Sequence, residues 1–151
     1  MQSYKKNHHP YSEAMIQRIQ TVYLLLVILS VLAFIFVPFG IMEKDGLSTV
    51  LVVKDLWVFI AGGSLIALLA GVAIFLFGNR ILQMKVVLIN AVLSVVLIGM
   101  FLFGLTKHVG WENYTFGWGA LLPVFILIFN MLAYGSIKSD ENLVRSMDRL
   151  R

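Results

Sequence analysis

The chain alternates between long stretches without charge and short ones that carry all of it. No Asp, Glu, Lys, Arg or His occurs from Ile19 to Met42, Leu56 to Asn79, Val86 to Thr106 or Asn113 to Ile137. A helix rising about 1.5 Å per residue needs roughly 20 apolar residues to cross a hydrocarbon core, and every run is that long. The pattern therefore predicts an all-α, four-helix transmembrane bundle, with spans at about 19–42, 56–79, 86–106 and 113–137. The turn Gly78–Lys85 and the loop Lys107–Trp118 are short, which makes consecutive spans antiparallel hairpins.

The segments outside the runs differ in kind. Residues 1–14 are polar and lack an apolar period, so they read as a disordered extension ahead of a membrane domain at 15–137. Between the first two runs, Val50-Leu51-Val52-Val53 favours a short extended piece on the membrane surface. Pro123 is expected to kink the fourth span. The tail, 138–151, reads as a short amphipathic cytoplasmic helix that either lies in the inner headgroup region or continues the fourth span into the cytoplasm. Ser139 is its N-cap, Asp140 and Glu141 lie in its first turn, and Glu141 and Arg145 form an i,i+4 pair.

Charge then orients the bundle. Nine Lys and Arg fall on the side of the two termini and the turn after span two, against three on the other side. By the positive-inside rule both termini are cytoplasmic, and Trp57, Trp111, Tyr114 and Trp118 lie at the opposite interface. The net charge of +4 needs only anionic lipid headgroups on the cytoplasmic side as partners and gives no reason to invoke nucleic acid.

Mean hydropathy of +0.89 and 60% hydrophobic residues leave no room for a soluble catalytic domain. The chain has no cysteine, which excludes disulfides, thiolate metal sites and dithiol–quinone chemistry. No Asp, Glu, Lys, Arg or His lies within a run, which counts against a proton-coupled pump and against haem ligation. His8-His9 is a weak metal signal in a polar tail. No nucleotide loop or hydrolase motif is present. The sequence thus assigns no catalytic residue, cofactor or metal, and the chain is read as not an enzyme.

What remains is packing and recognition. Gly63, Ala67 and Gly71 recur every four residues on one face of span two and admit close backbone approach. Asn90 and Asn130 lie at similar depth on spans three and four and are expected to hydrogen-bond as interhelical glue, worth about 0.6 kcal/mol on average. The cytoplasmic ends gather Gln17, Arg18, Gln20, Asn79, Arg80 and Gln83 with Asp140, Glu141, Arg145, Asp148 and Arg149 of the tail. Arg18 or Arg80 pairing with Asp148 or Glu141 would dock the tail under the bundle; Arg145 with Arg149 would hold a headgroup or an acidic partner.

Two stretches carry a resemblance. Met15-Ile16-Gln17-Arg18-Ile19-Gln20-Thr21 and Leu143-Val144-Arg145-Ser146-Met147-Asp148-Arg149-Leu150-Arg151 resemble the start and end of an uncharacterised family of short bacterial four-span membrane proteins, a domain of unknown function. The resemblance implies four membrane helices in a bacterial inner membrane and brings no activity. It also implies a start at Met15, which a cellular peptide from Gln2–Ala14 would refute. The function expected is a non-enzymatic scaffold or assembly subunit with a membrane-protein partner or a second copy. The alternative is a small oligomeric transporter or channel for a neutral or amphipathic solute, built around Asn90 and Asn130.

Overall fold

The computed structural model describes residues 10–44, 46–53, 56–106 and 114–149. Four long helices dominate: α1 (Pro10–Phe36), α2 (Trp57–Phe75), α3 (Arg80–Gly104) and α4 (Leu122–Arg149). All four are long and apolar enough to cross a membrane. Each packs against the next in sequence, and α4 closes the ring against α1.

The buried positions keep one spacing on every helix. The seams run through Gln20, Leu24, Val27, Val31 and Phe34 on α1, with Ser30 buried beside them, and through Gly63, Ile66, Ala70 and Ala73 on α2. On α3 they include Gln83, Val87, Asn90, Ser94, Leu97 and Phe101. On α4 they are Pro123, Ile126, Asn130, Ala133, Ile137 and Asp140. Steps of three and four alternate throughout, a period near 3.5 that keeps each seam facing its neighbours in a left-handed bundle. The outer faces are also apolar. Leu29, Leu68, Val92 and Ile128 are all exposed, and a surface of that kind suits hydrocarbon, not water.

One end of the bundle carries a three-stranded antiparallel sheet, ordered β2-β1-β3, built from β1 (Gly40–Lys44), β2 (Leu47–Leu51) and β3 (Tyr114–Phe116). The fold is therefore mostly helical but not wholly so. Pro38 ends α1 because its ring holds the preceding residue out of the helical region. The extended chain that follows is then gripped from both sides: Phe39 N–H donates to Leu51 O at 3.0 Å, and Gly117 N–H donates to Phe39 O at 2.9 Å. A Cβ on Gly117 or Gly119 would stand 2.9 or 2.6 Å from Pro38 O, so only glycine fits at this crossing.

Four sequence expectations change here. Helix α1 already includes Pro10–Ala14, and proline suits a first helical turn, where its missing N–H has no intrahelical partner in any case. The first and fourth runs are not helical throughout, because Gly40–Met42 and Tyr114–Phe116 are drawn into the sheet. Pro123 stands in the first turn of α4, where it removes no helical hydrogen bond and has no cause to kink it. Of the two arrangements open to the tail, the structure has it continuing the fourth span: α4 runs through Ser139 without a break, so Ser139 caps nothing.

Candidate functional site

Polar side chains inside an apolar bundle are costly unless paired, so their placement is the first clue to use. Among the described residues seven are buried, and they form two groups along the axis: Gln20, Gln83 and Asp140 near the end that holds the start of α1 and the close of α4, and Asn90, Ser94 and Asn130 farther in, with Ser30 apart on α1.

The first group is a clasp. Gln20 on α1 donates from Nε2 to Asp140 Oδ2 on α4. Arg80, opening α3, reaches the backbone carbonyl of Asp140 with Nη1 at 3.4 Å. Gln83 Nε2 donates to Ala73 O on α2 at 2.9 Å, tying the two helices across their turn. The turn is set by Asn79, whose Oδ1 accepts from Leu82 N–H at 3.1 Å and caps α3. Residues from all four helices meet at this level.

The second group is a knot between α3 and α4. Asn90 Nδ2 donates to Asn130 Oδ1 at 3.1 Å. Asn130 Nδ2 donates to Ser94 Oγ at 3.2 Å and to Ile126 O at 3.1 Å, while Ser94 Oγ donates to Asn90 O at 2.8 Å. The Ile126 carbonyl can only accept, which fixes the orientation of the Asn130 amide, and Asn90 must then present its own Nδ2 to Asn130. Two buried acceptors, Asn90 Oδ1 and Gln83 Oε1, have no partner within the protein.

The sheet end is apolar in character. Phe101 meets Phe34, Phe39 and Phe59 edge-to-face, with ring centroids 5.2–6.2 Å apart. Beside them lies an open apolar pocket of about 440 Å³ between the sheet, the start of α2 and the end of α3. Tyr114 donates its phenol to Phe39 O at 2.5 Å, and burial raises its pKa above the usual 10.0.

The sequence-derived residues are placed as follows. Asn90 and Asn130 do meet. Gly63 is buried in the core, 3.2 Å from Val31 measured from where its Cβ would stand; Ala67 is half-buried against the core, and Gly71 meets nothing within 4 Å, so the row is not one contact surface in a single chain. Arg80 does approach the tail, but through the Asp140 carbonyl and not through a carboxylate. Glu141 is bound by Arg145 within α4 at 2.8 Å. The side chains of Arg18, Asp148 and Arg149 lie outside the described residues. Ser94 carries no signal in the sequence, whereas Gln20 and Gln83 belong to the polar group expected at the cytoplasmic ends, and Gln83 stands one heptad before Asn90. Among the described residues no three His, Cys, Asp or Glu side chains come together as a metal site would need.

Comparison with known proteins gives one match, to the family described as a domain of unknown function (DUF4293), over residues 16–150. The chain belongs to that family. No curated protein and no solved structure matches it. As a DUF4293 member, the chain carries its clasp, knot and apolar pocket all within the matched span.

Proposed function

We propose that this DUF4293 chain is a multi-pass protein of a bacterial cytoplasmic membrane, with paired antiparallel helices and both termini in the cytoplasm. Its proposed role is that of a non-enzymatic scaffold or assembly subunit. The observation that carries this reading is how the interior polar groups are used. Gln20, Arg80, Gln83, Asn90 and Asn130 each tie one helix to another. A catalyst or pump keeps such groups reachable by substrate, whereas Asn90 and Asn130 are fully closed off between α3 and α4. A pore formed by oligomerisation around them would require the bundle to open first.

The clasp fixes where the tail emerges. Beyond Asp140, α4 exposes Asn142, Leu143, Arg145 and Ser146. That face is assigned to a membrane-protein partner or a second copy, with Arg80, Lys85, Lys138 and Arg145 at the same end favouring anionic headgroups. Tagged protein captured in native-lipid discs tests this. The expected result is a stoichiometric partner, or a second copy, that is lost when Asn142–Arg151 are deleted at unchanged abundance. Assembly and abundance that ignore the deletion would sink the reading.

The transporter reading keeps one specific support, the apolar pocket at the sheet end, which would suit an amphipathic solute. Under that reading Asn90→Leu abolishes transport without lowering abundance; under the scaffold reading the change is mild.

A further inference from the structure

The apolar pocket has a shape as well as a chemistry. Met42 and Leu51 supply a wall from the sheet, Trp57 and Phe59 one from α2, and Phe101 and Leu105 one from α3. A second, smaller cavity of about 80 Å³ continues it along the seam of the two helices, sharing Val58, Phe59 and Met100 and reaching Leu65 and Leu93. From Leu105 to Leu93 is twelve residues of α3, or roughly 18 Å along the axis. Along this track the lining of both cavities is apolar, and the larger volume lies at the sheet with the smaller toward the middle of the bundle.

We propose that this track is a binding site for a single hydrocarbon chain of a membrane amphiphile, with its polar end at the level of the sheet and its tail between α2 and α3. Three features favour a chain over a compact solute. The lining is almost wholly apolar, and the polar side-chain group it offers is the indole N–H of Trp57. The two cavities follow one another along the seam of α2 and α3, as an extended alkyl chain requires. The walls of Met and Phe adapt to a flexible apolar guest, thioether sulfur being polarizable and unbranched. The sheet wall distinguishes the site from the open lipid-facing grooves elsewhere on the bundle, because here the protein covers the guest on a third side. The inference rests on the membrane-spanning reading and not on the scaffold role.

Two glycines make the test clean. Gly104 lines the pocket, and a Cβ added there meets nothing within 4 Å, so a larger side chain enters open space without disturbing the core. Gly135 on α4 is equally unobstructed, is exposed, and lines neither cavity. Trp57, itself a lining residue and 77% exposed, serves as the reporter once Trp111→Phe and Trp118→Phe remove the other two tryptophans. The protein is placed in lipid discs containing increasing fractions of a fatty acid, or in a second arm a phospholipid, brominated along the chain. The expected result is a saturating phase of Trp57 quenching at low fractions, above the gradual quenching by bulk lipid. That phase is lost in Gly104→Leu and kept in Gly135→Leu. The arm in which it appears identifies the source of the chain. Identical, gradual curves for all three proteins in both arms would overturn the site. Elution with the discs reports insertion separately: a chain that never enters them refutes the spanning reading and the site with it.

Discussion

Asn130 and Asn90 are both fully buried amides facing each other, yet they are not equivalent. Asn130 takes part in three hydrogen bonds, to Asn90, Ser94 and Ile126, whereas the Asn90 side chain makes one and leaves its oxygen unpaired. Removing Asn130 strands the Asn90 amide, and an unsatisfied buried polar group costs about 1–3 kcal/mol. Removing Asn90 also leaves Asn130 Oδ1 without its donor, but it breaks one side-chain bond where removing Asn130 breaks three, and it deletes an orphaned acceptor. Asn130→Leu is therefore expected to destabilise the protein clearly more than Asn90→Leu, read from unfolding in mixed micelles. Equal losses would mean that the knot is not organised around Asn130. This pair was legible in the sequence because few amides lie deep in charge-free runs. The pairing of Gln20 with Asp140 was not legible, although both residues were, because their meeting depends on how α1 and α4 are rotated, which no local pattern records.

At the level of elements, length and lack of charge locate the helices well and their seams poorly. A span immersed in lipid is apolar on every face, so the inward period near 3.5 is drowned by outward residues such as Leu25, Leu29 and Leu32. The sheet was harder still. Gly40–Met42 and Tyr114–Phe116 lie inside charge-free runs, and only pairing across the chain draws them into strands. Its glycines give a sharp contrast. A methyl at Gly119 would press on the Pro38 and Val37 carbonyls, at 2.6 and 2.8 Å, while one at Gly71 meets open space. Gly119→Ala should lower the melting temperature, and Gly71→Ala should leave it level or raise it, since alanine favours a helix by roughly 0.8–1.0 kcal/mol. The reverse order would show that the crossing of Pro38 and Gly119 does not hold the sheet. Tyr114 adds a dependence on pH. Its folded pKa is raised above 10.0, so the protein's preference for the neutral phenol contributes fully below that value and is lost as pH climbs through the folded pKa. Melting temperature should fall above about pH 10, and Tyr114→Phe should blunt that fall while costing about 1 kcal/mol at neutral pH.

For the molecule as a whole, the two ends differ in the way a membrane orientation requires. The clasp end bears Arg80, Lys85, Lys138 and Arg145, whereas the sheet end displays Trp57, Phe116 and Trp118 at high exposure. Basic residues resist translocation, and the amphipathic rings of Trp57 and Trp118 favour the headgroup level, which is why the proposed orientation has the clasp in the cytoplasm and the sheet outside. The absence of cysteine makes this directly measurable, because any introduced thiol is the only one in the chain. Ser48 on β2 and Ser146 near the close of α4 are both exposed, and Ser48 makes no contact with the core. Ser48→Cys is expected to react with a membrane-impermeant maleimide in intact spheroplasts, and Ser146→Cys only after the membrane is opened. The opposite pattern would invert the protein, placing the α4 tail outside, where a cytoplasmic partner could not reach it. Labelling of both positions in intact spheroplasts would mean that α4 does not cross at all, and the apolar surface of the bundle would then need a protein cover instead of lipid.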